Sequence, residues 1–406
     1  MADGFKIGLL GHGTVGAAFA ALLDERVEVV EEVVGRRPEI SGVLTRSQGD
    51  FDDILKRSDV IVELIGGSEP AADYLLRALA AGKPVVTANK QLLSERGEEL
   101  YAAAHEHGVE LRFEAAVGGV VPAIRVIGET LAVSRIERVH GIVNGTTNFI
   151  LTEMTRTGAS YADALRAAQE LGYAEADPTA DVSGADAAAK MAILARLAYG
   201  SVVRLGDVPY EGIENVTPED IDYARELGLA LKLIGSAARV DGGVAVRVYP
   251  AFLYADHPLA SVNGSFNAVT IESPAFTEIT LSGPGAGGSA TATAVLGDVV
   301  SAMTHQTPLI LPEELPLVTD VASAFYLHLE VADQPGVLAQ VAELLGLQGV
   351  SIKSVVQKGM GADARLAMVM HPVLESKFRA AVALISRLEF VRSEPRVIRV
   401  IEGVFE

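Results

Sequence analysis

The residues best suited to chemistry lie in one short stretch, Gly172 to Lys190, which reads GYAEADPTADVSGADAAAK. Asp186 and Lys190 are four residues apart, so on a helix they share one face. A lysine beside carboxylates can carry a proton, and carboxylates can hold an ammonium group. The neighbours are mostly small, which suggests a wall that lets a small ligand approach. The same composition also fits an exposed acidic loop that leads into a helix, because charge clusters are usually solvated.

A second candidate site lies at the start of the chain. Residues 5–10 (FKIGLL) form an apolar run suited to a buried strand, and a helix-like segment follows the loop GHGTVG. Gly11 permits a tight turn, and Gly13 lets backbone N–H groups reach a pyrophosphate at the helix N-terminus. Gly16 allows the helix and the strand to pack closely. In this context the glycine spacing predicts a dinucleotide site rather than a plain glycine-rich turn.

The elements around this loop indicate how the two sites are held. Strand-like and helix-like segments alternate over residues 1–135, which predicts an α/β domain with a doubly wound parallel sheet of Rossmann type. Ligands bind such sheets at the carboxyl ends of the strands. Gly66-Gly67 and Thr87 to Lys90 follow two of these strands. The predicted strands are 5–10, 40–45, 59–65, 84–88 and 109–114, and the predicted helices are 14–24, 70–81 and 94–107.

The end of the second strand bears on the choice of cofactor. An NAD site usually has an acidic residue there, whereas an NADP site tolerates a basic one. The segment SGVLT is followed by Arg46 and Ser47. The sequence therefore favours NADP, although Arg46 also fits an ordinary surface loop.

The pattern changes at about residue 136. Residues 136–305 predict an α+β domain for the substrate, in which the glycine-rich segment 283–288 precedes a helix (288–305) that could return to the first domain. Residues 306–324 are punctuated by proline and predict a linker. Residues 325–406 have a β-α-β-β-α-β order, which predicts a separate ferredoxin-like domain.

Composition narrows the class of partner. The formal net charge of −20 opposes binding to nucleic acid or to an anionic membrane surface. No apolar run approaches the roughly 20 residues needed to span a bilayer, and the first residues do not resemble a signal peptide. Cysteine is absent, which excludes disulfides and a cysteine nucleophile. We expect a cytoplasmic protein with a small-molecule substrate.

With these blocks in view, the chain resembles homoserine dehydrogenases of the long form over essentially its whole length. The most specific segments are GIVNGTTNFIL and LGYAEADPTADVSGADAAAK; GHGTVG, DVIVELIGGSEPA, VVTANK and FEAAVGGVVPAIR also match. The tail segment DQPGVLAQVAELL resembles an ACT domain, a module that commonly binds amino acids. In this family it is associated with feedback regulation by threonine.

The resemblance implies a reaction and a set of site residues. The family interconverts L-homoserine and L-aspartate 4-semialdehyde with a nicotinamide cofactor, in the biosynthesis of threonine, methionine and isoleucine. It implies that Lys190 transfers the proton, with Asp186 and Lys90 beside it, and that Lys90 could lower the pKa of Lys190 by like-charge repulsion. The implied substrate residues are Glu175, Asp181, Asp186 and, more weakly, Thr147. The implied cofactor residues are Gly11, Gly13, Thr14, Val15, Gly16, Arg46, Lys90, Gly172 and Gly287.

The resemblance also implies a sodium ion, bound largely by backbone oxygens of Glu114, Val117, Gly119 and Val121. It implies a homodimer or homotetramer that pairs through the second domain, and a threonine effector at the ACT domain. In the tail, Asp333 to Val337 could bind that effector or serve as a dimer contact.

Two other hypotheses use the same features. A semialdehyde dehydrogenase that forms acyl phosphates needs a cysteine nucleophile, which this chain lacks. A non-catalytic, NADP-sensing regulatory protein would use the same folds without turnover. The Asp186–Lys190 pair argues against such a sensor, because a sensor does not need a proton donor.

Overall fold

The computed structural model of the protein describes residues 4–304, 311–359 and 364–401. The N-terminal unit is a five-stranded sheet in the order β2-β1-β3-β4-β5, and all of its strands are parallel. The predicted α/β fold is therefore confirmed. The elements of this unit are β1 (Phe5–Leu10), α1 (Thr14–Val34), β2 (Pro38–Leu44), α2 (Phe51–Arg57), β3 (Val60–Glu63), α3 (Ala71–Ala80), β4 (Val85–Thr87), α4 (Lys90–His107) and β5 (Leu111–Arg112).

Helices cover both faces of this sheet because its strands are apolar on both sides. Ile7, Leu9 and Val62 pack against α1 on one face, whereas Leu10 and Ile61 face the opposite layer, which contains α2, α3 and α4. The chain turns to opposite sides of β1 to form β2 and β3. A ligand crevice is therefore expected at the carboxyl ends of β1 and β3.

The second unit is a mixed sheet that begins at Arg138. It is covered on one face by the helices that carry the acidic stretch, and α9 supplies much of the core. After a short α5 (Ala123–Arg125) and one π-helical turn (Val126–Thr130), its elements are β6 (Arg138–Ile142), α6 (Gly145–Thr157), α7 (Tyr161–Glu170), α8 (Thr179–Val182), α9 (Ala185–Tyr199), α10 (Pro218–Glu226), β7 (Leu229–Val240), β8 (Gly243–Tyr254), β9 (Phe266–Ser273), β10 (Thr277–Pro284) and α11 (Gly288–Thr304).

The helix α11 leaves the second sheet and packs against the first unit. Its residues Ala292, Val295 and Val299 share one buried cluster with Phe19 of α1 and with the strands of the parallel sheet. The glycine-rich turn before α11 therefore crosses from the mixed sheet to the dinucleotide loop. Residues 306–310 of the expected linker lie outside the described residues.

The C-terminal segment has the strand and helix order that the sequence predicts, with a short extra strand. Its elements are β11 (Ala322–Glu330), α12 (Val337–Leu347), β12 (Ile352–Lys358), β13 (Arg365–Met370), β14 (Val373–Leu374), α13 (Glu375–Ile385) and β15 (Arg396–Ile401). It has a buried cluster of its own, yet β15 pairs in parallel with β8. The sheet of the second unit therefore continues into this segment, in the order β10-β9-β6-β7-β8-β15-β11-β13-β12.

Within the described residues, none of the helices combines the length and the apolar character needed to cross a membrane.

Candidate functional site

The predicted acidic stretch and the lysine at its end meet two other parts of the chain. Asp186 and Lys190 lie on the first turns of α9, Lys90 is the first residue of α4, and the loop between β6 and α6 lies between them. The starts of α4 and α9 and the loop between β6 and α6 therefore meet at the carboxylate of Asp186.

Asp186 is the centre of this group. Its side chain is 3% exposed, and Oδ2 lies 2.7 Å from Lys190 Nζ, while Oδ1 forms an ion pair with Lys90. Burial alone would raise the pKa of Asp186, but the two ammonium groups hold it well below its usual range. The carboxylate is therefore ionised throughout the physiological range. Because it lies between the two lysines, it counters the repulsion expected between them.

Lys190 is held by two acceptors. Besides Asp186, its Nζ donates to the carbonyl oxygen of Val143 at 2.7 Å, and 12% of its side chain is exposed. An ammonium group has three N–H donors. These two contacts leave one donor for the oxygen of a ligand that reaches the exposed part of Lys190.

Asn144 joins the carboxylates to one another. It caps the N-terminus of α6 by accepting from Thr147 N, and its Nδ2 donates to Asp181 at 2.7 Å and to Asp186 at 2.9 Å. The Thr146 hydroxyl also reaches Asp181, at 3.2 Å. Asp181 and Asp186 are therefore fixed relative to each other by neutral donors.

The predicted substrate residues differ in how accessible they are in the structure. Glu175 is exposed and Asp181 is half-buried, so both can meet a ligand. Thr147 is buried, and its hydroxyl donates back to Asn144 rather than toward the carboxylates. The structure thus brings Thr146, and not Thr147, to Asp181.

Lys90 is set in place by a buried network at the ends of β3 and β4. Glu63 is fully buried; it accepts from Gly66 N and from the Thr87 hydroxyl, and Asn89 then caps α4. Although burial favours the neutral amine, Asp186 and more weakly Asp181 and Glu175 raise the pKa of Lys90. Lys90 therefore stays charged beside the carboxylates.

The small residues near Lys190 do not form the open wall that the sequence suggested. Ala187, Ala188 and Ala189 are buried in the core, where small side chains let α9 lie close to the mixed sheet. Lys90 and Glu175, by contrast, are exposed.

The glycine loop has the geometry expected for a dinucleotide. Gly11 has φ 98°, and a β-carbon on Gly16 would lie 2.2 Å from Gly11 O, so neither position accepts a larger residue without distortion. A β-carbon on Gly13 would meet nothing within 4 Å. No side chain caps α1, which leaves its first N–H groups free for a phosphate. Thr14 is exposed, and Val15 is half-buried beside it.

The remaining cofactor candidates surround this loop at different distances. A β-carbon on Gly288 would lie 3.5 Å from Thr14 Cγ2, so the neighbouring Gly287 lies beside the dinucleotide loop. Arg46 is exposed two residues after β2, and Leu44 at the end of that strand accepts from Gly11 N. Gly172 is exposed in the turn after α7, with φ 76°.

The predicted cation residues occupy an irregular, buried loop. Glu114, Val117, Gly119 and Val121 are all buried, and the Glu114 carboxylate accepts from Ile124 N and Arg125 N. Burial, with the charge of Asp298, raises the pKa of Glu114 to about 7. Among the described residues, no three His, Cys, Asp or Glu side chains form a metal cluster.

Asn144 and Val143 contact the candidate site residues, but the sequence reasoning did not single them out. Asn144 precedes a helix, and asparagine is a favoured N-cap residue, so this signal was available in NGTTN. The Val143 carbonyl gives no signal in the sequence, because every residue has one.

Comparisons with known proteins point to one family. A family model described as homoserine dehydrogenase, NAD binding domain, matches residues 11–114, and one described as homoserine dehydrogenase matches residues 122–300. A homoserine dehydrogenase of Synechocystis sp. is 39% identical over 98% of this chain and 99% of its own length. The crystal structure of a homoserine dehydrogenase from Thiobacillus denitrificans is 37% identical, with a TM-score of 0.93 over 98% of this chain and 99% of that one.

A more distant structure is that of a hyperthermophilic archaeal homoserine dehydrogenase in complex with NADPH. It is 27% identical, with a TM-score of 0.64 over 73% of this chain and 97% of that one.

Proposed function

Because the chain belongs to the homoserine dehydrogenase family, we propose that Lys190 transfers the proton in the reaction of this family. The protein is a nicotinamide-dependent oxidoreductase that interconverts L-homoserine and L-aspartate 4-semialdehyde. The observation that carries the role of Lys190 is its geometry. Two of its three donors are fixed by Val143 O and Asp186, and the third is left for a ligand oxygen.

The bound cofactor supplies the hydride, which is exchanged with the carbon that bears the reacting oxygen. In reduction, the Lys190 ammonium gives its third proton to the carbonyl oxygen, so aldehyde, hydride and proton together make the alcohol. In oxidation, the neutral amine takes that proton back. Asp186 orients the amine in both directions and remains ionised.

The substrate also carries an ammonium group, which needs carboxylates around it. We assign this to Glu175 and Asp181, with Asp186 behind them, because the first two are accessible from the side of Lys90. We do not assign Thr147 a contact with the substrate. Its role is indirect, because it belongs to the helix cap that orients Asn144. We also assign to Lys90 contacts with both the substrate and the cofactor.

The residues of the glycine loop fit a dinucleotide, through the open space at Gly13 and the uncapped start of α1. Gly11, Thr14, Val15 and Gly16 would line its pyrophosphate, with Gly287 and Gly172 nearer the nicotinamide. Arg46 would meet a 2′-phosphate, so we propose a preference for NADP; the NADPH complex of the archaeal relative supports this choice. Arg46→Asp should move the ratio of kcat/KM values toward NAD.

We also propose a sodium ion on the backbone oxygens of Glu114, Val117, Gly119 and Val121. The fit rests on their chemistry: all four residues are buried, and a carbonyl oxygen has two lone pairs, so Glu114 O and Val121 O, which accept from Val117 N and Ala123 N, each keep capacity for a cation. The raised pKa of Glu114 marks a place where a cation would stabilise the charged carboxylate. Thermal unfolding in sodium chloride and in choline chloride at equal ionic strength tests this assignment.

For residues 325–406 we propose a ferredoxin-like ACT module that regulates the enzyme by binding threonine. The β-α-β-β-α-β order supports this proposal, and a threonine titration of the activity of the full chain tests it. The pairing of two or four copies through the second domain, and a cytoplasmic location, stay predictions.

The test of the main proposal is homoserine-dependent reduction of NADP or NAD, followed by absorbance. Lys190→Ala should lower kcat by about 10²–10⁴-fold, which is the usual contribution of a positioned proton donor. Binding of NADP, followed by fluorescence, should stay within about twofold. A variant that keeps its activity contradicts the role of Lys190, and binding of NADP without turnover by the unmodified protein would favour the sensor hypothesis.

A further inference from the structure

The carbonyl group that anchors Lys190 has a second donor. Val143 O accepts from Lys190 Nζ at 2.7 Å and also from the side-chain amide Nδ2 of Asn267 at 3.3 Å. A carbonyl oxygen has two lone pairs, so both donors can be held at once. Asn267 thus contacts the atom that orients the proposed proton donor.

Asn267 lies where the mixed sheet meets the glycine-rich turn. It is the second residue of β9 and is 1% exposed. A β-carbon on Gly285 would lie 2.2 Å from Asn267 Cγ, so the amide lies directly against the backbone of that turn. Two residues farther along, Gly287 leads into α11 beside Thr14 of the dinucleotide loop.

The amide is only partly satisfied. Asn267 Oδ1 is buried and has no hydrogen-bond partner within the described part of the chain. A buried, unpaired acceptor lowers stability, and an apolar side chain of the same shape would avoid that cost. Stability of the sheet therefore does not explain an asparagine at this position.

We propose that Asn267 is a positioning residue for the homoserine dehydrogenase reaction, which holds the Val143 carbonyl so that the free donor of Lys190 points at the substrate oxygen. This inference rests on the proposed role of Lys190. In this proposal Asn267 does not contact the substrate and acts through Val143. Because it also packs on Gly285, it fixes the proton donor relative to the turn that adjoins the cofactor loop.

The distances show that Asn267 would influence Lys190 over a short range. Asn267 Nδ2 and Lys190 Nζ bind the same oxygen, at 3.3 and 2.7 Å, so they are at most about 6 Å apart. Without the amide, only Lys190 would hold the carbonyl, which could then rotate with the lysine. Small displacements of a reacting group lower the rate strongly, because the reacting atoms must be close and aligned.

The experiment replaces the amide by an apolar group of similar shape, Asn267→Leu. The matched control is Tyr199→Phe in α9, which removes another buried side-chain donor to a backbone carbonyl, that of Ala237, without a change of shape. For both variants, kcat, KM for homoserine, the solvent deuterium isotope effect on kcat, NADP affinity and Tm are measured on the full chain.

We expect Asn267→Leu to lower kcat by about 10–100-fold while KM and NADP affinity change less than about twofold. The solvent isotope effect should increase because proton transfer becomes slower, and Tyr199→Phe should show neither change. The inference is overturned if Asn267→Leu changes only Tm, or if its kcat and isotope effect match those of the control. If the leucine variant does not fold, Asn267→Ser removes the same donor without adding bulk beside Gly285 and is judged by the same criteria.

The outcome for Lys190→Ala separates this inference from the proposed function. If Lys190→Ala remains active, the proposed role of Lys190 is wrong, and the role of Asn267 is wrong with it. If Lys190 is essential and Asn267→Leu retains the unmodified kcat and isotope effect, only the role of Asn267 is wrong.

Discussion

At the scale of single residues, the site depends on one buried carboxylate and on the neutral groups that hold it. Asp186 contacts two lysines and Asn144, and Asn144 extends the contact to Asp181. Because the amide is neutral, it joins two carboxylates without cancelling the charge that a substrate ammonium group needs. The arrangement therefore keeps a negative surface beside the Lys190 side chain.

Asn144→Ser tests whether this bridge matters for the reaction. Serine is about as good an N-cap as asparagine, so α6 should lose less than about 1 kcal/mol of unfolding free energy. The two amide donations to Asp181 and Asp186 are lost, and we expect kcat/KM for homoserine to fall by about 100-fold. Steady-state kinetics and urea unfolding measure the two effects. An unchanged kcat/KM would mean that the carboxylates hold their positions without the bridge.

The sequence predicted the charged residues of the site better than their supports. The four-residue spacing of Asp186 and Lys190 placed them on one face of α9, as found. The contacts of Val143 O and of Asn267 join residues 143, 190 and 267, and no local pattern connects positions so far apart. Backbone atoms and neutral amides also leave little trace in composition, whereas charges and glycines do.

At the scale of elements, the dinucleotide loop offers a paired test of its glycines. A methyl group at Gly16 would lie 2.2 Å from Gly11 O and would force α1 away from β1, whereas at Gly13 it would enter open space. We expect Gly16→Ala to lower both unfolding free energy, by about 1–3 kcal/mol, and NADP affinity. Gly13→Ala should weaken NADP binding with little change in stability, because the methyl group occupies the path of the pyrophosphate.

Isothermal calorimetry and urea unfolding of the two glycine variants provide the check. Equal losses of unfolding free energy in Gly13→Ala and Gly16→Ala would show that the space around the two positions does not determine stability. Gly13→Ala with unchanged NADP affinity would place the pyrophosphate elsewhere.

A second prediction at this scale concerns Lys232 in β7. It is 3% exposed and donates to uncharged oxygens of Asn148, Val262 and Asn263, so it fastens the loop before β9 to the sheet. Burial lowers its pKa to about 8, from 10.5. A depressed pKa contributes stability that is complete above pH 10.5 and is lost as the pH falls through 8.

We therefore expect the unfolding free energy of the unmodified protein, relative to Lys232→Met, to rise by up to about 3 kcal/mol between pH 8 and 10.5. Urea unfolding across this range measures the difference. Lys56→Met, at an exposed position of α2, should show no such change. Parallel curves for the unmodified protein and Lys232→Met would mean that Lys232 is not buried as described.

The elements themselves were predicted unevenly. The strands of the first sheet were found because they are apolar runs between helices, but α6 and β10 were not predicted. The segment of α6 begins with Gly145, Thr146 and Thr147, which are weak helix formers, and tertiary packing on the acidic stretch decides its state. Helix α10 ends at Glu226 because Leu229 and the residues after it pair with β8.

At the scale of the whole molecule, the sequence could not show that the predicted C-terminal domain is joined to the catalytic sheet. Both β8 and β15 read as ordinary strands, and pairing between positions 251 and 399 is a long-range property. Ion pairs extend the junction, among them the contact of Arg396 with Asp220 and that of Glu375 with Arg247.

This junction determines what a deletion would do. In a chain that ends at residue 320, β8 would lose its partner β15 and expose an unpaired strand edge, and Phe252 would lose its contact with Tyr326. We expect Tm to fall by at least about 5 °C and the shortened chain to self-associate through the open edge. Thermal unfolding and size-exclusion chromatography measure both. A shortened chain with unchanged Tm and size would show that the first 320 residues are stable alone. If Tm falls, the deletion removes structural support together with any effector site. Threonine sensitivity must then be measured on the full chain.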